Sequence, residues 1–315
     1  MFTLAHLSDL HLPLPAPPAW RALASKRILG YLSYRLKRKM VHDQAVLAAL
    51  VEDLRQHAPD HIAITGDLTN IGLPEEFTST ARWLQALHSS DAITVIPGNH
   101  DAYVRVPWQQ SLERWSAFMS DQDAPIRDAN GFPFVRRRGA VALIGVSTAC
   151  PSSPIEATGR IGVRQLARLG RHLEQLGAEG LFRVVLIHHP PIAGMVSHRK
   201  RLIDEAAFRA MIEQTGAELI LHGHHHRFTL DELTTPAGKA PVIGVPSGSA
   251  RRAPGHEHAS YHLCRLSAAP AYWRLEVEVR GLAEATDRFV TEHHFDLTIP
   301  NARARPSGSS PMAAR

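Results

Sequence analysis

Ala92-Ile93-Thr94-Val95-Ile96-Pro97-Gly98-Asn99-His100-Asp101 passes directly from an apolar run to three polar side chains. The first part predicts a short buried strand that ends on Pro-Gly, where Gly98 lets the backbone turn sharply. An amide, an imidazole and a carboxylate then stand at the strand's carboxyl end, where open α/β sheets place their sites. Read alone, the trio fits a polar turn with a capping Asn equally well.

The same arrangement recurs on either side. Residues 2–7 predict a strand that ends in Ser8-Asp9-Leu10-His11, and residues 61–65 one that ends in Gly66-Asp67-Leu68-Thr69-Asn70. Downstream, residues 181–187 run into His188-His189-Pro190-Pro191, and residues 218–221 into His222-Gly223-His224-His225-His226. Asp9 and His11 lie two apart, as do His224 and His226, so extended backbone would send each pair to one side, with His225 on the other. Helical periodicity separates these strands at 41–57, 74–88, 163–176 and 204–214, and residues 107–119 also look helical. Strands alternating with helices imply parallel strands joined by crossovers. Residues 132–137 and 140–147 flank Arg138-Gly139 and predict a hairpin. From Phe228 onward strands dominate and are expected to supply much of a second sheet. Residues 1–299 read as one domain, and the Pro/Ser/Ala/Arg-rich 300–315 as a disordered tail.

With 315 residues and ordinary apolar content, the chain can bury a large core. Its net charge of +5 gives a mild preference for anions, phosphate esters included, without implying nucleic acid as a partner. Cys150 and Cys264 are the only cysteines, which excludes a disulfide framework and a thiolate zinc site. The opening run Phe2-Thr3-Leu4-Ala5 is broken by His6 and Asp9, unlike a signal peptide. No apolar stretch reaches the roughly 20 residues that span a bilayer. A cytoplasmic protein is expected, with a membrane-peripheral one as the alternative.

The segment from Pro13 to Met40 stands apart. After a stiff Pro-rich connector, residues 20–40 hold Arg21, Lys26, Arg27, Arg35, Lys37, Arg38 and Lys39 with no acidic residue, interleaved with Trp, Leu, Ile and Tyr. This reads as a helical insertion of about 13–40 with a basic, solvated outer face. A sharper reading makes it a lid that recruits anionic substrates or rests on an anionic membrane surface.

Carboxylate, amide and imidazole donors at five strand ends suit a mixed N/O site for Mn, Fe, Zn or Co. Two metals sharing one bridging carboxylate would use all of these ligands, with Asp67 as the natural bridge. Asp9-x-His11, Gly66-Asp67, Gly98-Asn99-His100-Asp101, His188 and Gly223-His224-x-His226 together resemble the five-motif signature of the calcineurin-like metallophosphoesterase superfamily. The extended second motif, Gly66 through Phe77, and His188-His189-Pro190-Pro191 are most similar to class III cyclic-nucleotide phosphodiesterases and bacterial glycerophosphodiesterases. The resemblance implies a four-layer α/β/β/α sandwich of two mixed sheets flanked by helices. It implies two divalent ions, one held by Asp9, His11, Asp67 and His226, the other by Asp67, Asn99, His188 and His224. It also implies phosphodiester hydrolysis by a metal-bridged hydroxide. His100 is left to assist the leaving group, with Asp101 orienting it or capping a helix. His189, His222 and His225 become neighbours of the ligands. The substrate implied is a small ester, a cyclic nucleotide or glycerophosphodiester; the alternatives are phospholipid head groups, or a non-catalytic scaffold of the same fold.

Overall fold

The computed structural model describes residues 1–120, 126–253 and 257–301. The chain opens with β1 (Phe2–Leu7), followed by the insertion: a 3₁₀ turn (Trp20–Leu23), α1 (Arg27–Ser33), a π turn (Tyr34–Arg38) and a last helical turn α2 (Lys39–Val41). Next come α3 (Gln44–His57), β2 (His61–Ile64), α4 (Pro74–Leu87) and β3 (Ile93–Val95). The second half of the alternation is β4 (Phe134–Arg138), β5 (Val141–Gly145), α5 (Val163–Ala178), β6 (Phe182–Leu186), α6 (Glu205–Thr215) and β7 (Leu219–His222). Five strands follow: β8 (Thr229–Thr235), β9 (Gly238–Gly244), β10 (Ser260–Ala268), β11 (Tyr272–Ala283) and β12 (Arg288–Pro300).

These strands form two six-stranded sheets, ordered β12-β11-β10-β1-β2-β3 and β4-β5-β6-β7-β9-β8. Within them β1, β2 and β3 run parallel, as do β5, β6, β7 and β9, while the remaining pairings are antiparallel. Strand alternation explains the layering. In the second sheet Leu143, Val184, Leu186 and Leu221 face a core shared with the first sheet. The intervening Ile144, Val185, Ile187 and Ile220 face a separate core with α5 and α6. On the other side, α3 and α4 lay Leu50, Leu54, Phe77 and Leu84 into the shared core. Two mixed sheets flanked by helices are what the resemblance implied.

Three expectations need correction. Of the late strands only β8 and β9 join the second sheet; β10, β11 and β12 complete the first, with β10 antiparallel to β1. The run 107–119 is not one helix but two 3₁₀ turns, Trp108–Gln110 and Leu112–Phe118. Ser111 between them leaves helical backbone and bonds Pro107 O through its hydroxyl at 2.9 Å, a local competitor of the helix ladder. β12 runs to Pro300, which pairs with Tyr272, so residue 300 belongs to the sheet; the rest of the expected tail, residues 302–315, lies outside the described residues.

His262 on β10 is fully buried, and neither of its ring nitrogens has a hydrogen-bond partner among the described residues. Burial, with His222 adding to it, pushes this imidazole down to about 3. An unfolded chain takes up the proton near the ordinary pKa of about 6.5. Stability should therefore fall as the pH drops between these values, by about 1.4 kcal/mol per unit from this side chain. Denaturant unfolding at several pH values should show a shallower acid limb for His262→Phe, and an unchanged slope would refute the assignment.

Candidate metal centre

The parallel strands deliver their polar residues to one edge of the sandwich. Asp9 and His11 follow β1, Asp67 follows β2, Asn99 and His100 follow β3, His188 follows β6, and His224 and His226 follow β7. Asp9, His11, Asp67, His224 and His226 all lie in the left-handed region, with φ between 42° and 65°. Outside this site only Ala58 and Asp287 do so among the described non-glycine residues. Such backbone costs on the order of 1–3 kcal/mol per residue and persists only where its surroundings enforce it. It also replaces the extended backbone from which the two pairs were expected to project.

Two groups of ligand atoms result, Asp9/His11/His226 and Asp67/His188/His224, each within 4.8 Å of one another. Asp67 also groups with His11 and His100 within the same limit, which connects the two sets. His226 Nε2 stands 2.9 Å from Asp9 Oδ1, and His188 Nε2 lies 3.4 Å from Asp67 Oδ2. Asn99 Oδ1 is 3.2 Å from the same His188 nitrogen. All seven expected ligands, with His100, thus come together.

The opposite ring nitrogens orient the imidazoles. His11 Nδ1 bonds Thr69 O at 3.2 Å, His188 Nδ1 bonds Thr65 O at 2.7 Å, and His224 Nε2 bonds Lys200 O at 2.9 Å. An N–H donated to a carbonyl leaves the other nitrogen with its lone pair toward the cluster, as a metal ligand requires. Burial alone would raise the carboxyls, but His226 holds Asp9, and His188 holds Asp67, below the ordinary range. Burial likewise opposes charge on His188, yet Asp67 and Asp9 carry it up to about 9. Two buried carboxylates thus draw a proton into the space where a cation fits, and an all-N/O donor set suits a first-row divalent ion.

Glycines permit the convergence. A Cβ on Gly98 would overlap the Asp67 carboxylate and sit 2.7 Å from His188 Cε1. Gly66 has φ +103°, and a Cβ there would fall 2.6 Å from Gly98 N. Asp101 neither orients His100 nor caps a helix. Its carboxylate accepts from the backbone N–H groups of Gly98 and Asp67 at 2.9 Å each and of Thr69 at 2.9 Å, fixing the loop that carries Asp67. Glu76 does the same from α4, accepting from Asn70 N at 2.6 Å and Leu73 N at 2.9 Å.

Two residues escaped the strand-end logic. Arg38, from the insertion, places Nη1 2.8 Å from His100 Nδ1 and 3.0 Å from Asn70 O. His42, just ahead of α3, lies with its ring 4.4 Å from that of His11 and bonds Ser249 Oγ at 2.9 Å. Neither follows a strand, so no local pattern marks them.

Residues 2–228 match the calcineurin-like phosphoesterase description. The chain belongs to that family. Like this phosphoesterase, a dimetal phosphatase from Danio rerio forms the same fold, with TM-score 0.55 and 13% identity over 95% of this chain and 99% of that one. A purple acid phosphatase from yellow lupin (Lupinus luteus) superposes with TM-score 0.57 and 12% identity, over 94% of this chain and 53% of the other. In sequence, a probable cyclic nucleotide phosphodiesterase from Synechococcus sp. is 27% identical over 183 residues. That match spans 57% of the phosphoesterase described here and 63% of its relative.

In this phosphoesterase the remaining strand-end histidines are engaged by protein. His189 bonds Thr148 Oγ1 at 2.7 Å and Ala157 O at 3.1 Å, so both of its nitrogens are taken. His222 uses Gly223 O at 3.0 Å and Thr229 Oγ1 at 3.4 Å. His225 is half-buried and joins none of the ligand groups.

Proposed function

We propose that this phosphoesterase hydrolyses a phosphodiester at a centre for two divalent ions. Asp9, His11, Asp67 and His226 would hold one, and Asp67, Asn99, His188 and His224 the other. The observation that carries the reading is the position of Asp67, within reach of ligand atoms from both groups. Two ions held there would polarise the phosphoryl group and make a nucleophile available at neutral pH.

The chain's own residues do the rest. Asp67 positions His100, accepting its backbone N–H at 2.7 Å. The His100 ring lies 4.9 Å from that of His11, within the cluster. Burial pushes His100 down to about 4; Asp67 pulls the other way and Arg38 adds to the lowering. The imidazole is therefore neutral at physiological pH. His100 Nδ1 meets Arg38 Nη1, which can only donate, at 2.8 Å and Asn70 O, which can only accept, at 2.7 Å, so these contacts hold the ring in place without assigning its proton. With its proton on Nε2, the neutral ring can hydrogen-bond to a departing alkoxide. The resemblance to cyclic-nucleotide phosphodiesterases and glycerophosphodiesterases, together with the Synechococcus relative, favours a diester over a monoester substrate.

Chelation tests the proposal. Hydrolysis of bis(p-nitrophenyl) phosphate should vanish after treatment with a chelator and return with Mn²⁺ in stoichiometric amount. Protein that is fully metal-loaded but inert toward diesters and monoesters would favour a scaffold with a silent site.

A further inference from the structure

The insertion is bound to the metal centre by one face only. Gly30 and Tyr34 are buried and Arg38 reaches His100, three residues at helical spacing along the continuous run 27–41. Arg27 reinforces the attachment, bonding Ile71 O at 3.0 Å, and Lys26 lies over the Tyr103 ring at 4.4 Å. Residues 28, 32, 36 and 40 are offset by two from that series, which places them on the opposite side of the helix. There the side chains are apolar and bare.

Trp20 is 75% exposed, Leu36 67% and Met40 72%, with Ile28, Leu29 and Leu32 about half exposed. Six of the thirteen large exposed hydrophobic side chains among the described residues fall in this short segment, so they form one apolar patch and are not scattered singly over the surface. Arg21, Arg35, Lys37 and Lys39 are exposed among them, and no acidic residue occurs between 20 and 42. Among the described residues no helix is long and apolar enough to cross a membrane. An apolar stripe flanked by cations on a helix of this length suits the interfacial plane of a bilayer.

We infer that the insertion, residues 20–40, seats the protein on an anionic lipid surface, with Leu32, Leu36 and Met40 entering the interface beside the metal centre. Charge complementarity selects this occupant. A second copy meeting the same face would oppose cation to cation, whereas a negative leaflet attracts all four.

Flotation of the full chain with vesicles tests this without reference to turnover, so its failure would leave the diesterase proposal standing. Binding should require phosphatidylglycerol mixed into phosphatidylcholine, and should weaken at high salt. Leu32→Asp with Leu36→Asp should lower it by at least about tenfold. Arg35→Ser and Lys39→Ser should each lower it by about fivefold. The leucine variant should keep the parent's circular dichroism spectrum and thermal unfolding midpoint, which shows that it is folded. Absence of binding at low salt, or equal binding by parent and leucine variant, would overturn the inference. So would self-association in lipid-free solution that the leucine variant abolishes, since it would assign the face to a second copy.

Discussion

Asp67→Asn is expected to lose metal and to lower diester turnover by on the order of a thousandfold. The side chain is 2% exposed and is the carboxylate common to the two sides of the cluster. Asn keeps its shape and tolerates its left-handed backbone at φ 55°, so the substitution removes charge without adding strain. What disappears is the anion that holds His100 N at 2.7 Å and faces His188. Metal affinity should fall by more than the roughly 10–100-fold typical when only an outer hydrogen-bond partner is lost. Metal analysis by mass spectrometry and steady-state kinetics on one preparation would decide it. A variant retaining two ions per chain and the parent's turnover would show that Asp67 does not bridge.

His100→Ala should behave differently: both ions retained, kcat reduced by about 10²–10³, the span for losing one hydrogen-bond donor to developing negative charge. The loss should depend on the leaving group. An alkoxide needs the hydrogen bond and should show the full effect, whereas nitrophenolate departs readily without it and should show much less. The loop is expected to survive, because its bond to Asp67 comes from the backbone N–H that alanine retains. Equal losses on both classes of diester would make His100 a positioning residue, and undiminished hydrolysis of the alkyl diester would remove its role.

The candidate ligand positions were legible because each follows a buried strand, and polar donors at that place have little reason to occur without a site. The side to which they point was not. Alternation along extended backbone was expected to pair Asp9 with His11 and His224 with His226; all four residues are left-handed, and only Asp9 and His11 still share a ligand group. His224 and His226 consequently serve different ligand groups. The late strands were recognised as strands, but three of the five were assigned to the wrong sheet, since β10 recrosses to pair with β1 and nothing in its own residues specifies that partner. Asp101 was visible in the opening motif, but its work is done by contacts with backbone N–H groups more than thirty positions away, at Asp67 and Thr69.

By itself the sequence determined the alternation of strands and helices, the chemistry of the donors and the basic, apolar character of the insertion, because each is written in short-range pattern. Only the tertiary structure decided that Arg38 reaches His100, that His42 lies against His11, and that the far side of the same helix stays bare. Those outcomes depend on how a helix is rotated about its axis when it packs. That rotation is set by its neighbours, Ile71 and Tyr103 closing on Gly30, and not by the helix's own residues.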